Sequence, residues 1–334
     1  MSRRDADRSR NVEFQRNRDL EELLLQLNRE LACANDSILA SLRNDVSHPL
    51  VFVMGPLRSG TTLFMQALAS TGAIAYPTNL LSRFYGAPLV GARIQLLFDS
   101  RYNFRDELLD LRAAMSFESS NGKTTGALAP NEFWYFWRRF VQFGDIDWMP
   151  DESLHRHVDK NTLVQELVGL TRVLGMPFAL KAMILNYNIG FLSGLFENAI
   201  FVQLKRDPIA TVSSILKARR RQFGNEAHWY SFKIPEYEQL KDMEPLHQAA
   251  GQVHFISRAL ETGMDLLPES RKLVVDYEEF CRHPESVLRE LLCKVGVREW
   301  AYGGPRTFTI RRSNGPESTA ISEALDQFAL SAES

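Results

Sequence analysis

One segment of the chain carries the strongest fold signal, and it reads Leu50-Val-Phe-Val-Met-Gly-Pro-Leu-Arg-Ser-Gly-Thr-Thr-Leu-Phe-Met-Gln-Ala-Leu-Ala69. Its first five residues form a short apolar run, which predicts a buried β-strand. Glycines follow, and the apolar run that begins at Thr62 predicts a helix. A strand that leads through a glycine-containing loop into a helix is typical of parallel α/β sheets, where such loops bind anionic ligands. The segment therefore predicts an anion site at the carboxyl end of a strand.

Short apolar runs recur along the chain and alternate with helical patterns. Further strands are predicted at 73–76, 178–181, 199–204 and 272–275, and helices at about 161–174, 208–222, 246–262 and 285–295. Short buried strands that alternate with helices indicate βαβ units, which build a parallel sheet. The predicted fold class is therefore α/β, a P-loop-like parallel sheet flanked by helices.

The first part of the chain differs from the rest. Residues 12–42 carry apolar side chains at helical spacing, which predicts one or two amphipathic helices. We expect an N-terminal helical extension over 1–45, which either packs on its own chain or forms a homodimer interface. A single α/β domain is predicted over 46–334, and its less regular part, 99–158, is expected to be an insertion.

Composition and charge exclude several classes of protein. The chain has 334 residues, of which 45% are hydrophobic and 24% charged, and this is an ordinary globular composition. Its 39 Lys and Arg residues nearly balance 41 Asp and Glu residues, so the formal net charge is −2. Such a chain has no global field to hold nucleic acid, and we expect no nucleic-acid partner.

The sequence also argues against a membrane protein and a metalloprotein. No run of 18 or more residues is apolar, so no transmembrane segment is predicted. The basic segment 1–10 is not followed by the apolar stretch of a signal peptide, which favours the cytoplasm. Three scattered cysteines, Cys33, Cys281 and Cys293, form neither a disulfide framework nor a zinc site, and the histidines lack ligand spacing. No metal is therefore expected.

The loop at 55–62 has the residues that an anion site needs. Backbone amides and hydroxyls come from Ser59, Gly60, Thr61 and Thr62, at the start of the predicted helix. Arg58 adds a fixed positive charge with several donors. The spacing nearly matches the loop of nucleoside-triphosphate-binding proteins, but Thr61 stands where that loop has Lys. The missing Lys counts against a kinase-like phosphotransferase, which stays an alternative.

The loop resembles the one by which sulfotransferases hold the 5′-phosphosulfate of 3′-phosphoadenosine 5′-phosphosulfate (PAPS). The resemblance rests on Pro56-Leu-Arg-Ser-Gly-Thr-Thr62 and extends, in order, over about residues 48–296. It implies a sulfotransferase that uses PAPS as sulfate donor. Arg58 would then hold the sulfuryl bridge and act in catalysis, and the loop residues after it would bind the nucleotide.

A second segment strengthens the resemblance. It reads Lys205-Arg-Asp-Pro-Ile-Ala-Thr-Val-Ser-Ser214 and follows the predicted strand 199–204. In the family, an Arg at a strand end and a Ser on the next helix bind the 3′-phosphate, which implies Arg206 and Ser214. The residue types suit this task, because Arg offers a two-pronged fork to phosphate. Asp207 can cap the following helix and Pro208 can open it.

Two weaker matches lie later in the chain. The segment that begins Val274-Val-Asp-Tyr277 resembles a family segment that would place Tyr277 near the nucleotide, although a packing role fits as well. The segment Arg311-Arg-Ser-Asn-Gly315 is similar to a late basic segment that contacts the 3′-phosphate in cytosolic members. Its sequence differs from the segment in those members, and the same residues are also typical of a solvated loop.

Sulfuryl transfer needs charge stabilisation on the leaving group and a base for the proton of the acceptor. The resemblance implies that Lys181, at the end of a predicted strand, stabilises the leaving group; the alternative is a Lys that extends to solvent. Cytosolic members have a His base two residues later, where this chain has Met183. The chain therefore resembles the bacterial and membrane-type branch, which keeps only the Lys. Residues 63–98 also lack the Glu of another branch.

Glu132 is the candidate base that remains. It precedes the aromatic run Phe133-Trp-Tyr-Phe-Trp137, where a partly desolvated carboxylate would be a better base. Glu132 could also be an ordinary charge at a helix start. The alternative bases are Glu118, Asp99, His155 and His157. Residues where the other branch has its Glu could instead contact the acceptor, namely Asn79, Ser82 and Arg83.

The acceptor is expected to be a hydroxyl or amine compound, such as a glycan, a lipid or another small metabolite. The aromatic run at 133–137 could line its pocket or belong to the core. A basic cluster, Lys217 with Arg219, Arg220 and Arg221, could meet an anionic acceptor or form a solvated helix end. A catalytically silent nucleotide-binding module stays a third alternative, because Met183 replaces the usual base.

Overall fold

Parallel strands form the sheet at the centre of the molecule. The computed structural model describes residues 10–42, 46–98, 102–103, 105, 107–108, 116–119, 122–311 and 316–331. Within these ranges the strands are β1 Leu50–Met54, β2 Phe178–Lys181, β3 Ile200–Lys205 and β4 Lys272–Asp276. Their order is β2-β1-β3-β4, and every pair is parallel. The predicted α/β fold class with a parallel sheet is confirmed.

Strand β1 occupies the position that matters for the site. It pairs with β2 on one side, where Val53 is opposite Lys181, and with β3 on the other, where Met54 is opposite Gln203. Strand β1 thus lies between β2 and β3, which both come much later in the sequence. Such a switch point opens a crevice at the carboxyl ends of the strands, where ligands bind.

Helices account for most of the remaining described chain. The α-helices are α1 Arg18–Glu30, α2 Ala32–Ser41, α3 Thr61–Ala69, α4 Pro88–Leu96, α5 Trp134–Phe140, α6 Asp151–His157, α7 Lys160–Leu174, α8 Ile189–Leu195, α9 Pro208–Phe223, α10 Tyr237–Leu240, α11 Pro245–Asp265, α12 Tyr277–Arg282, α13 Pro284–Lys294 and α14 Pro316–Ser331. Short 3-10 helices lie at Val12–Phe14, Leu81–Phe84, Met183–Leu185 and Glu269–Arg271. The four helices predicted after residue 160 are confirmed to within about three residues at either end.

The two faces of the sheet are covered by different helices. Leu50, Phe52 and Met54 of β1 face a large core that includes residues of α5, α7, α8 and α11. Val51 and Val53 face a second core formed with α3, α12 and α13. Successive side chains of a strand point to opposite faces, so an unbroken apolar strand requires cover on both sides.

One predicted strand does not form. Residues 73–76 contribute a single bridge, Ala75 to Phe178, instead of a strand. The Ala75 N–H donates to Pro177 O at 2.8 Å, and Ala75 O accepts from the Ala179 N–H at 2.8 Å. Pro77 follows two residues later and has no N–H with which to continue a ladder. The segment therefore lies along the edge of β2 without extending the sheet.

The N-terminal extension packs on its own chain. Asn28 of α1 donates through Nδ2 to Arg83 O at 2.8 Å and accepts through Oδ1 from the Gly86 N–H at 2.6 Å. Asn35 of α2 accepts from the Leu89 N–H at 3.0 Å. These side chains satisfy backbone groups at the start of α4, which fixes the extension against the domain. The homodimer interface stays a prediction, as do the domain boundaries at 45 and 46.

The expected insertion at 99–158 contains α5 and α6. Parts of it, namely 99–101, 104, 106, 109–115 and 120–121, lie outside the described residues. Among the described helices, none is both long and apolar enough to cross a membrane.

Candidate functional site

The predicted phosphate loop connects β1 to α3 and leaves the start of that helix open to a cavity. Gly60 adopts the left-handed backbone conformation at φ 96°, and a methyl group there would overlap the Tyr277 ring. Only glycine fits this position without strain, because the backbone and the ring both exclude a Cβ. The Ser59 hydroxyl is buried inside the loop and has no hydrogen-bond partner among the described residues. The loop therefore holds an unsatisfied polar group at the end of a helix.

The second predicted motif meets the loop directly. Arg206 follows β3, and its Nη1 donates to Arg58 O at 2.8 Å. The Arg58 Nε in turn donates to Ser214 Oγ, on α9, at 3.1 Å. Arg206 Nε is buried and has no hydrogen-bond partner within the described chain. Two motifs that are far apart in sequence thus form one cationic pocket, as the order of β1 and β3 requires.

The helix that follows this motif begins as predicted. Asp207 accepts from the Ile209 N–H at 2.9 Å, and Pro208 is the first residue of α9. An Asp cap satisfies an otherwise unpaired amide, and Pro has the backbone angle that a helix start needs. This cap fixes the direction of α9, so Ser214 faces the loop.

The Tyr277 ring packs against both motifs. The Arg206 guanidinium lies 4.8 Å from the centroid of the Tyr277 ring, and the same ring covers Gly60. Burial raises the pKa of Tyr277 to about 12, so its phenol stays protonated. The side chain therefore has the packing role that the sequence allowed, and it lines the cavity as well.

Lys181 links the loop helix to Glu132. Its side chain is only 4% exposed, and Nζ donates to Thr62 Oγ1 at 2.6 Å and lies 3.1 Å from Glu132 Oε1. The Lys181 carbonyl accepts from Trp137 Nε1 at 2.8 Å, which fixes the end of β2. A Lys that extends to solvent is thereby excluded. The ammonium group lies instead at the open end of α3.

The environment of Glu132 differs from the expected one. We expected a carboxylate desolvated by aromatic neighbours, but its side chain is 45% exposed and pairs with Lys181. The next residue, Phe133, takes the left-handed conformation at φ 55°, so the chain turns sharply between Glu132 and α5. The described partner of the carboxylate is therefore the Lys181 ammonium, and the role of Glu132 as a base stays a prediction.

The aromatic run divides between the core and the cavity. Phe133, Phe136 and Trp137 are fully buried or nearly so. Trp134 lines the cavity, where it stacks on Phe232 at 5.5 Å between ring centroids. Tyr135 and the nearly buried Trp137 line the cavity as well.

Of the alternative bases, one reaches the cavity. Glu118 is a lining residue, whereas His155 and His157 are not. His155 lies edge-on to Phe191, and His157 Nδ1 lies 2.8 Å from Ser153 O on the same helix. Asp99 lies outside the described residues, as do residues 312–315 of the late basic segment. Arg311 is described, and its carbonyl accepts from Arg206 Nη2 at 3.3 Å.

Met183 lies where the sequence comparison placed it, beside the loop. Thr61 Oγ1 donates to Met183 Sδ at 3.4 Å. A thioether accepts hydrogen bonds weakly and does not take up a proton at ordinary pH, so this position holds no base.

Three contributions to the site were not foreseen. Asn186 is buried, donates to Gly55 O at 2.9 Å and accepts from the Gly55 N–H at 3.4 Å, so it clamps the start of the loop. Tyr230 contacts Arg58, and burial raises the pKa of its phenol. Segment 10–17 of the N-terminal extension lines the cavity. Sequence periodicity could not show these contacts, because each one joins distant parts of the chain.

The residues expected near the acceptor line the cavity, but two of them also have structural partners. Asn79 donates to Gly126 O at 2.9 Å and accepts from Asn131 Nδ2 at 2.7 Å. Ser82 Oγ donates to Asn79 O at 2.9 Å. Arg83 is exposed and points its charge at the same half of the cavity as Trp134.

The predicted basic cluster on α9 is dispersed by the fold. Arg219 is fully buried and donates to Gln248 Oε1 at 2.8 Å, and burial lowers the pKa of Arg219 to about 10. Arg220 pairs with Glu226 at 2.8 Å. Lys217 is exposed away from the cavity, and Arg221 lines it. The prediction of a single basic cluster is therefore wrong, because a helix distributes consecutive residues around its axis.

The cavity has a volume of about 1630 Å³. This exceeds the about 300–1,000 Å³ that is usual for one small ligand, so there is room for two. Its described lining contains the loop, Arg206 and Tyr277, and also Trp134, Arg83 and part of segment 10–17. Among the described residues, no three His, Cys, Asp or Glu side chains come together as metal ligands.

Comparisons with known proteins agree with this architecture. A family model described as "Sulfotransferase family" matches residues 49–302. The chain is similar in structure to the sulfotransferase STF1 from Mycobacterium tuberculosis H37Rv, with a TM-score of 0.53 and 13% identity over 89% of this chain and 81% of that one. The sulfotransferase STF9 from Mycobacterium avium gives a TM-score of 0.49 and 17% identity over 90% and 72% of the two chains. No curated protein matches. The likeness to STF1 shows a shared fold.

Proposed function

Because the chain belongs to the sulfotransferase family, we propose that it transfers the sulfuryl group of PAPS to a hydroxyl group of an acceptor in the same cavity. The observation that carries this proposal is the contact between the two predicted donor motifs. Arg58 in the loop bonds to Ser214, and Arg206 bonds to the carbonyl of Arg58. This arrangement brings the cationic side chains of Arg58 and Arg206 together at the loop, and they would serve the 5′-phosphosulfate and the 3′-phosphate of the donor.

The donor site fits a doubly phosphorylated nucleotide. Arg206 lines the cavity, and its Nε is buried without a hydrogen-bond partner among the described residues, so a phosphate oxygen would satisfy it. The loop amides, Thr61 and Thr62 would hold the 5′ end at the start of α3. Arg206 and Ser214 would hold the 3′-phosphate, with Tyr277 beside them.

Lys181 and Arg58 would stabilise the charge that develops on the leaving group. PAPS supplies the sulfuryl group: its bond to the bridging oxygen breaks while a bond from the acceptor oxygen to sulfur forms. Lys181 Nζ lies against Thr62 at the helix start and is shielded from water, where a fixed positive charge is most effective. Arg58 lies on the opposite side of the loop, held by Ser214.

Glu132 would take the proton of the acceptor hydroxyl. One carboxylate oxygen is held by Lys181, and the partly exposed side chain lines the cavity between the donor and acceptor halves. A base must lie within hydrogen-bond reach of the proton that it removes, and this position meets that condition for an acceptor beside Thr62. Glu118, an alternative base from the sequence analysis, is a second carboxylate that lines this cavity.

A silent nucleotide-binding module is the competing function, and the contact of Met183 with Thr61 favours it. The two functions differ in turnover. Incubation with PAPS and a panel of hydroxyl acceptors, in a chelator, should release adenosine 3′,5′-bisphosphate in proportion to sulfated product. A matched control is Arg156→Ala, on the exposed face of α6 and outside the cavity, which should leave turnover unchanged. Nucleotide binding without product from any acceptor would favour the silent module.

A further inference from the structure

The cavity is strongly cationic although the whole chain is not. Ten of its described lining residues are Arg or Lys and three are Asp or Glu, whereas the chain carries a formal net charge of −2. Four of the ten lie at the donor end, namely Arg58, Lys181, Arg206 and Arg311. The remaining six are Arg10, Arg16, Arg83, Lys123, Arg138 and Arg221. The donor nucleotide therefore does not account for most of the positive charge.

These six residues come from separate segments and line the cavity outside the donor motifs, in the part that we call the acceptor half. Two lie in the N-terminal segment, and the others lie on the 3-10 helix Leu81–Phe84, in the loop before α5, on α5 and on α9. Folding brings together like charges that repel one another, which costs free energy unless a negative charge offsets it. Asp147 lies 3.7 Å from Arg138 and Glu21 lies 3.7 Å from Arg16, so these two carboxylates offset part of the charge. Arg83, Lys123 and Arg221 are exposed toward solvent and the cavity.

The N-terminal segment is fastened where it completes this wall. The Asn11 N–H donates to Gln222 O at 2.8 Å, and Asn11 Nδ2 donates to Arg221 O at 2.7 Å, at the end of α9. Phe14 is buried, with Lys123 5.7 Å and Arg221 6.0 Å from its ring centroid. Phe14 therefore holds two cations at the rim of the acceptor half. The family match begins at residue 49, so this part of the wall lies outside it.

We propose that the acceptor is itself an anion: a hydroxyl compound with a carboxylate, sulfate or phosphate group that binds at Lys123 and Arg221, the two cations beside the Phe14 ring. This inference rests on the proposed function and adds the chemical class of its acceptor. The anionic group at the rim leaves the hydroxyl directed toward Glu132 and the donor end. Trp134, which lines the same half, provides an aromatic surface for the body of the acceptor.

Two matched sets of probes, each with a neutral member and at least one anionic member, test the proposal. The first set is glucose, glucuronate and glucose 6-phosphate, and the second is 4-hydroxyphenylacetamide and 4-hydroxyphenylacetate. Each is measured by calorimetry on the enzyme loaded with adenosine 3′,5′-bisphosphate and by turnover with PAPS. We expect at least one anionic member to bind at least about 10-fold more tightly than its neutral counterpart, and the preference to weaken as salt rises. The carboxylate and phosphate members distinguish the two kinds of anion.

Charge-neutral variants locate the effect. Lys123→Gln and Arg221→Gln should each weaken the favoured anionic probe by about 10-fold or more and leave its neutral counterpart unchanged. Lys217→Gln is the matched control, because Lys217 lies one turn before Arg221 on α9 but does not line the cavity. Donor binding and melting temperature are measured for each variant to verify folding.

The outcomes separate this inference from the proposed function. If adenosine 3′,5′-bisphosphate fails to bind the wild-type protein, the proposed function fails. If the nucleotide binds but the members of each set bind equally, or no anionic probe binds at millimolar concentration, the inference about the acceptor is overturned. Equal losses for anionic and neutral probes in both variants would overturn it as well.

Discussion

At the scale of single residues, the donor site depends on side chains that fix one another. Arg206 bonds to the Arg58 carbonyl and lies over the Tyr277 ring, which in turn lies on Gly60. Arg58 itself takes the left-handed conformation at φ 65°, which is uncommon for a residue with a side chain. Strain of this kind persists where the surroundings hold it, and here Ser214 and Arg206 hold Arg58 from two sides.

Replacing Arg206 tests whether it reads the 3′-phosphate. Arg206→Ala should weaken adenosine 3′,5′-bisphosphate by about 10- to 150-fold, because a hydrogen bond to a charged group contributes about 1.5–3 kcal/mol. Adenosine 5′-phosphate, which lacks the 3′ group, should lose much less. Calorimetry with both nucleotides measures the difference. Equal losses would show that Arg206 supports the loop without contacting that phosphate. In that case Arg206→Lys should restore the binding of neither nucleotide.

Glu132→Gln tests the proposed base. The amide keeps the shape of the carboxylate but cannot accept a proton, so turnover should fall by about 10²- to 10⁴-fold. Donor binding should stay within about 2-fold, because Glu132 reaches the loop only through Lys181. Single-turnover kinetics and calorimetry give the two quantities. Near-normal turnover would remove Glu132 from the mechanism, and Glu118→Gln is the comparison that would then be decisive.

At the scale of secondary-structure elements, a buried polar network joins the N-terminal extension to the domain. Glu166 on α7 is buried and pairs with Arg139 on α5 at 2.7 Å, and Asn35 on α2 donates to it at 3.4 Å. Arg139 also donates to Tyr85 O at 2.6 Å. Burial raises the pKa of Glu166, and the Arg139 charge opposes that rise. Removing Arg139 would leave a buried carboxylate without its main partner.

Arg139→Ala should therefore reduce the free energy of unfolding by about 2–3 kcal/mol near pH 7. The loss should be smaller near pH 5. The pKa of Glu166 is already raised in the folded state, so the unpaired carboxyl takes up a proton as pH falls and its buried charge disappears. Urea unfolding at both pH values measures this. The double variant Arg139→Ala with Glu166→Gln is the control, and its loss should not depend on pH in this way. A greater loss at low pH would contradict the assignment.

At the scale of the whole molecule, the cavity is lined by segments that are far apart in the described chain. Its lining extends from segment 10–17 to Arg311 and includes residues of both faces of the sheet. A ligand that binds only the folded state stabilises everything that must be folded to form its site. Binding at this cavity is therefore coupled to unfolding of the extension and the sheet together.

Adenosine 3′,5′-bisphosphate should raise the stability of the whole chain without divalent metal. The reason is that Arg58, Lys181 and Arg206 supply the positive charge, while Thr61 replaces the Lys of metal-dependent nucleotide loops. At 100 times its dissociation constant the nucleotide should add about 2.7 kcal/mol. Thermal unfolding with chelator and with magnesium should give equal shifts of one transition. A shift that requires magnesium would contradict the prediction.

The sequence by itself determined the features that depend on neighbours along the chain. The apolar runs of β1 and β2 predicted their bounds, Asp207 and Pro208 predicted the start of α9, and the loop residues predicted an anion site. Each of these follows from local backbone geometry, burial pattern or capping, which few residues suffice to set. The family resemblance added the pairing of the loop with Arg206.

Only the tertiary structure decided what distant residues do together. It placed Glu132 against Lys181, buried Arg219 while Arg221 lines the cavity, and brought part of segment 10–17 to the same cavity. The strand order decides which loops meet, and the turn at Phe133 decides which way Glu132 faces. These outcomes depend on packing between segments that are far apart in sequence, and neither residue type nor periodicity encodes that packing locally.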